Sequence, residues 1–97
     1  MPVYLILDIT ITDPDIYGEF GARVPAVVEQ YGGRYLARSS EISTMVGDWR
    51  PERIVLIEFE SIDQVQEFFA SKEYQDLVSI REQAATTRAI IVEGYEP

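Results

Sequence analysis

"IVLIEFESIDQVQEFF", residues 54–69, changes its periodicity halfway along. Through Glu60 it reads as a strand: Val55, Ile57 and Phe59 project to one side, Ile54 and Leu56 to the other. From Ser61 the apolar residues Val65, Phe68 and Phe69 fall at helical spacing. Ser61 and Gln64 between the two patterns form a capping box, which marks a helix start. The stretch is therefore strand, cap and helix. A weaker echo lies at "ITDPDIYGEF", residues 11–20, where Asp13 fits an N-cap, Pro14 the first helical position and Asp15 a favourable first-turn charge.

Working outward from these two units, Val3 to Thr12 reads as the first strand. The helix after Asp13 buries a stripe of Tyr17, Phe20, Val24, Val27 or Val28, and Tyr31. Pro25 inside it predicts a kink near Gly21, and Gly32-Gly33 ends it. Arg34 to Arg38 is the second strand, with a bend at Ser39-Ser40, an extended stretch through Val46 and a turn at Gly47-Asp48. Ile54 to Glu60 is the third strand. Ser71 restarts a short helix carrying Tyr74, Leu77, Val78 and Arg81; Thr87 to Glu93 is the last strand, and Gly94 to Pro97 a tail. The order βαββαβ predicts an α+β fold: a ferredoxin-like sandwich with a four-stranded antiparallel sheet and both helices on one face. Residues 1–97 form a single domain, since so short a chain supports one core.

A sheet covered on one side only should be polar on the other. Here Tyr4 and Ile6 in the first strand, Ile54 and Leu56 in the third, and Ile90 and Val92 in the last oppose that rule. The simplest cover is the sheet of a second copy, which predicts a homodimer.

Seventeen acids stand against eight bases, a net charge of −9. That surface repels phosphate backbones and anionic lipid heads, and the bases are scattered, so neither nucleic acid nor membrane is an expected partner. No apolar run approaches the roughly 20 residues that span a bilayer. Met1-Pro2-Val3-Tyr4 lacks the basic segment of a signal peptide, which makes the cytoplasm the expected location. Histidine and cysteine are both absent, which removes Ser-His and Cys-His nucleophile pairs and histidine-ligated zinc or haem. Gly32-Gly33 is no phosphate loop, because no lysine follows it; Asp13-Pro14-Asp15 is a helix start in preference to a metal site. No cofactor and no metal are expected.

Acid–base work then falls to carboxylates, tyrosines or the single lysine. Asp8 and Glu58 lie on the mixed faces of neighbouring strands and are the candidate proton-handling residues, with Arg34 or Arg38 the natural partner for Glu58. Trp49 and Arg50, where the second and third strands are joined, are candidate ligand-binding residues: a guanidinium stacked on an indole suits a carboxylate or planar anion. Arg34 and Tyr31 would approach from the neighbouring strand and helix end. A purely structural alternative has Trp49 plugging the end of the fold with Arg50 stacked upon it.

"YGGRYLARSS" (31–40), "GDWRPERIVLIEFES" (47–61) and "SKEYQ" (71–75), with Asp8 to Pro14, resemble a bacterial family of about this length known as a domain of unknown function. The resemblance spans nearly the whole chain, although Ser39-Ser40 stand where relatives often carry glycines. It implies a dimeric α+β barrel of ferredoxin-like topology. Wider relatives of that barrel include cofactor-independent monooxygenases, muconolactone-type isomerases and haem-dependent enzymes, among which fold alone does not choose. The expected function is binding of a small anionic or aromatic organic molecule by a homodimer, with cofactor-independent turnover as its catalytic form; the alternative is a non-catalytic structural or sensing module.

Overall fold

A computed structural model describes residues 1–96; Pro97, the end of the expected tail, lies outside the described residues. The chain runs β1 (Val3–Ile11), α1 (Pro14–Gln30), β2 (Arg34–Ser39), β3 (Arg53–Phe59), α2 (Ile62–Ala70), α3 (Lys72–Ala84), β4 (Ala85–Glu93). The strands form one sheet in the order β2-β3-β1-β4, and every neighbouring pair is antiparallel. This is the expected α+β sandwich, with the second helical region divided into α2 and α3. Among the described residues no helix is long and apolar enough to cross a membrane.

Local chemistry sets the element ends. Asp13 accepts a hydrogen bond from the Ile16 amide at 3.2 Å and so caps α1. Ser61 accepts from the Gln64 amide at 3.3 Å, while the Glu60 amide donates to Gln64 Oε1 at 3.0 Å. The expected reciprocal cap is therefore present, but its return bond falls one residue before the cap. Ser71 serves two helices: its hydroxyl donates to the Phe68 carbonyl at 2.7 Å and accepts from the Tyr74 amide at 3.1 Å. Gly32, at φ +82°, supplies the left-handed residue that ends α1.

The register separates the two faces of the sheet. Leu5 pairs with Ile57 and Ile91, Leu7 with Val55 and Ala89, and Ile9 with Arg53 and Thr87; all of these face the helices. Leu5, Ile57 and Phe59 meet Phe20, Val24 and Val28 of α1, Val65 and Phe68 of α2, and Tyr74 and Leu77 of α3 in one buried cluster. Phe68 is its centre, with ring centroids 5.8 Å from Phe59 and 4.7 Å from Tyr74.

The opposite face carries Tyr4, Ile6, Asp8, Ile54, Leu56 and Glu58, with Ile90 and Val92 on β4. No helix among the described residues covers it: Ile90 is 63% exposed and Val92 45%. Residues 40–52, expected as an extended stretch closing a hairpin, form neither helix nor strand. They arch over this face, and Ile42, Val46, Trp49 and Pro51 enclose a hollow with Ile6, Ile54 and Leu56. Met45 and Val46 point into solvent, 86% and 90% exposed.

Two features around Pro25 are linked. α1 includes Pro25 as an interior residue. Proline has no N–H, so the Gly21 carbonyl four residues earlier loses its helical donor. Arg38 Nη2 supplies a replacement at 2.5 Å. Arg38 reaches that carbonyl because β2 carries a bulge between Tyr35 and Ala37, which turns Arg38 to the helix side opposite Val55.

Two glycine substitutions test this packing. A Cβ on Gly33 would stand 2.7 Å from Val28 Cγ1 and 2.8 Å from Phe59 Cζ, both in the core, whereas one on Gly18 of α1 meets nothing within 4 Å. Gly33→Ala is expected to destabilise by about 1–3 kcal/mol through overpacking. Gly18→Ala is expected to stabilise by about 0.5–1 kcal/mol through its helix preference. Thermal denaturation distinguishes them, each kcal/mol moving Tm by roughly 4–8 °C in a domain this small.

Candidate functional site

The six residues singled out from sequence lie in separate places. Asp8 accepts from Arg88 Nη2 at 2.6 Å and from Trp49 Nε1 at 3.3 Å, on the uncovered face of the sheet. Glu58 faces the same way and accepts from Arg34 Nη2 at 2.9 Å, one of its two expected partners. Glu58 pairs with Tyr4 while Asp8 lies four residues further along β1, a separation of roughly 13 Å at strand rise. They form no carboxylate dyad. Tyr31 belongs to the helix layer, where its hydroxyl donates to Glu73 Oε1 at 3.1 Å and Gln30 Nε2 donates to Glu73 Oε2 at 2.7 Å. That cluster ties the end of α1 to the first turn of α3. Arg50 is exposed in the 40–52 segment. The structure thus joins Trp49 to Asp8 and Arg34 to Glu58, but brings neither Tyr31 nor Arg50 to them.

A different pocket lies between the sheet and the helices. Its floor is Leu5, Leu7 and Ile9 of β1 with Val55 and Ile57 of β3; its roof is Tyr17, Phe20, Val24 and Val28 of α1, with Phe68, Phe69 and Tyr74. Tyr35 and Arg38 close it from β2, Arg81 from α3 and Thr87 from β4. The volume is about 40 Å³, space for roughly three water-sized groups.

The electrostatics of this pocket oppose those of the whole chain. No carboxylate is among its lining residues, yet two arginines are. Arg53 stands beside them, its guanidinium 5.9 Å from the centroid of the Tyr17 ring, and that of Arg38 is 5.3 Å from the Tyr35 ring. Arg81 Nε, Arg53 Nε and Thr87 Oγ1 are buried with no hydrogen-bond partner among the described residues. The Arg81 guanidinium meets Glu82 only at 3.8 Å, outside the pocket. Burial pushes the Tyr35 phenol above its ordinary value, an effect that nearby Arg38 partly offsets. Burial does the same to Tyr74, partly offset by Arg81. Both phenols therefore stay protonated at neutral pH, with an O–H able to donate.

Strand alternation in β3 and β4 puts Arg53 and Thr87 on the helix-facing side, a signal available in the sequence. Arg81 on the apolar face of α3 was another. Arg38 was hidden, because strict alternation sets it on the same face as Arg34, and only the bulge reverses it.

The sequence profile of the family described as "Domain of unknown function (DUF1330)" matches residues 2–95, and the chain belongs to that family. No curated protein matches the sequence. Solved structures of similar fold include a protein of unknown function from Rhodopseudomonas palustris, at TM-score 0.82 and 17% identity over 99% of this chain and 84% of that one. SnoaB, a cofactor-independent oxygenase from Streptomyces nogalater, aligns at TM-score 0.73 and 11% identity over 99% of this chain and 95% of its own. A dimeric ferredoxin-like protein of unknown function from Bacteroides fragilis aligns at TM-score 0.66 and 13% identity over 96% of each chain. At these identities the likeness establishes the fold.

The titrating groups give a pH dependence at both ends of the scale. The folded values of Tyr35 and Tyr74 are raised. Their contribution is complete below the unfolded tyrosine value of about 10 and is lost as pH rises through the folded values. Glu73 is lowered from 4.5 by its own backbone N–H, then by Gln30 and Tyr31. Its contribution is present above that value and is lost as pH falls through the folded one. Melting curves across pH are expected to show both losses. Tyr35→Phe with Tyr74→Phe should reduce the alkaline loss, to which Tyr31, raised by burial and by Glu73, also contributes; Glu73→Gln should reduce the acid loss and the Tyr31 share of the alkaline one.

Proposed function

We propose that the protein is a homodimer which binds a small organic molecule in the pocket between sheet and helices. The observation that carries this reading is the pair of unpartnered buried donor groups, Arg81 Nε and Thr87 Oγ1, on the wall of an otherwise apolar, aromatic pocket. Each buried polar group left without a partner costs about 1–3 kcal/mol. A bound molecule with acceptor oxygens would satisfy both.

Self-association is supported by the uncovered sheet face and by the description of fold neighbours as dimeric. The molecule is a slab of 40 × 39 × 16 Å, with a broad face larger than the roughly 800 Å² per partner that a stable interface needs. Ile6, Ile54, Leu56 and Ile90 supply the apolar centre of that face. Asp8 with Arg88 and Glu58 with Arg34 supply charge pairs in which neither carboxylate is left without a cation. In this reading Trp49 and its neighbours in the 40–52 segment meet the second copy, which accounts for their exposure in a single chain.

Turnover without a cofactor is the catalytic form of the proposal, and the fold similarity to SnoaB is the observation in its favour. Binding without turnover is the sensing form; product formation from a bound ligand separates the two.

Sedimentation of the purified protein is expected to give a dimer. Ile90→Asp, at a position already solvent-exposed in one chain, is expected to weaken it by tenfold or more, about 1.4 kcal/mol, with folding retained by circular dichroism. A wild-type protein that sediments as a monomer at high micromolar concentration would overturn the dimer. For the pocket, a panel of small carboxylates, phenols and neutral ring compounds is expected to raise Tm. A uniformly silent panel counts against small-molecule binding.

A further inference from the structure

Pro25, Gly21 and Arg38 together form a contact between α1 and the edge strand at the rim of the pocket. Pro25 deprives the Gly21 carbonyl of its helical donor, and Arg38 Nη2 takes the place of that donor at 2.5 Å. Gly21 permits the approach: a Cβ there would stand 3.0 Å from the same Nη2 atom. The bulge in β2 delivers the arginine to that side of the sheet. Arg38 is exposed although it lines the pocket, so it stands at the mouth, between α1 and the edge strand β2.

The bond that holds it is weak in one respect. Arg23, Arg34, Arg81 and Arg88 each lie within 4 Å of a carboxylate. Among the described residues no carboxylate pairs with Arg38, whose acceptor is a neutral carbonyl. The Arg38 bond is already charge-assisted through its ionised donor, but an oxyanion adds the opposite charge and, in a bidentate arrangement with the guanidinium fork, a second hydrogen bond. An incoming oxyanion would therefore compete for Arg38 against the Gly21 carbonyl. Behind Arg38 the walls are the rings of Tyr35, Tyr17, Phe68 and Tyr74, which favour a flat aromatic body. At about 40 Å³ the pocket is smaller than a ring compound needs, since an engineered apolar cavity that binds benzene is about 150 Å³. The mouth must open for a ring to enter.

We propose that Arg38 is a latch that closes the pocket by binding the Gly21 carbonyl, and that an aromatic carboxylate or comparable aromatic oxyanion opens it by taking the guanidinium for itself. This rests on the small-molecule reading above and adds the ligand class and the gate. Arg81, with its buried unpartnered Nε, is the second cation on the path.

Benzoate, its neutral isostere benzamide and the cation benzylamine are the probes, with binding followed by calorimetry and association by stopped flow. Wild-type protein is expected to bind benzoate at least tenfold more tightly than benzamide, and benzylamine not at all. Arg38→Gln should weaken benzoate binding by roughly 10- to 100-fold for one charged hydrogen bond while benzamide binding is unchanged, with folding checked by circular dichroism. Pro25→Ala returns an N–H to the Gly21 carbonyl, frees Arg38 and should speed benzoate association severalfold. Equal binding of benzoate and benzamide would overturn the anion preference and leave the pocket reading standing. A preference kept in Arg38→Gln would overturn the role of Arg38, and an unchanged association rate in Pro25→Ala would overturn the latch. Binding of none of the three probes would overturn this inference; the reading on which it rests falls only if the wider panel is silent as well.

Discussion

Four strands carry apolar side chains on both faces, and the chain has helices enough to cover one of them. The rest of the structure follows from that imbalance. α1, α2 and α3 close over Leu5, Ile57 and Phe59 to make the single core. Ile6, Ile54, Leu56, Ile90 and Val92 are left on the other side, where the 40–52 segment arches across only part of them. A domain of this length buries only about 60–65% of its unfolded surface, so apolar area left in water weighs heavily on its stability. In the proposed dimer another copy covers the second face, which would remove that area without lengthening the chain and would leave the pocket side free for a ligand.

Charge follows the same division. The chain as a whole carries −9, yet the pocket between sheet and helices contains arginines and no carboxylate. An acidic exterior lowers the concentration of anions near the surface, so any anion that reaches the pocket must be held by short-range contacts. Guanidinium groups against phenol rings supply such contacts at the pocket. On the opposite face Asp8 and Glu58 each have their own arginine, and such paired charges favour register and specificity between surfaces more than reactivity.

The Pro25 position shows how one residue links the two layers. In an isolated helix a proline there removes a bond and its ring crowds the carbonyl four residues earlier. Here the freed carbonyl becomes the docking point for a side chain from the edge strand, and the helix stays continuous. The fold is thereby tied together at the edge where the pocket opens, through a bond that an ionised ligand is able to replace.

The sequence by itself determined the order of the elements, because caps and periodicities are local. Asp13-Pro14, Ser61 with Gln64, and Ser71 each start a helix through contacts within four residues of the chain. It also determined that the sheet has two apolar faces, since alternation along a strand fixes which residues share a side. What it left undecided was which polar residues meet. Trp49 and Tyr31 belong to opposite layers, although their neighbouring strands and turns suggested one site. Arg38 reads from alternation as a companion of Arg34, yet one bulge carries it to the other face. Arg53 and Thr87 come together only by pairing with Ile9 on either side of it, and Arg81 arrives above them from a helix. Local interactions fix each element. A pocket is made of side chains far apart in sequence, so a register shift of a single residue, set by the packing of the whole sheet, decides what lines it.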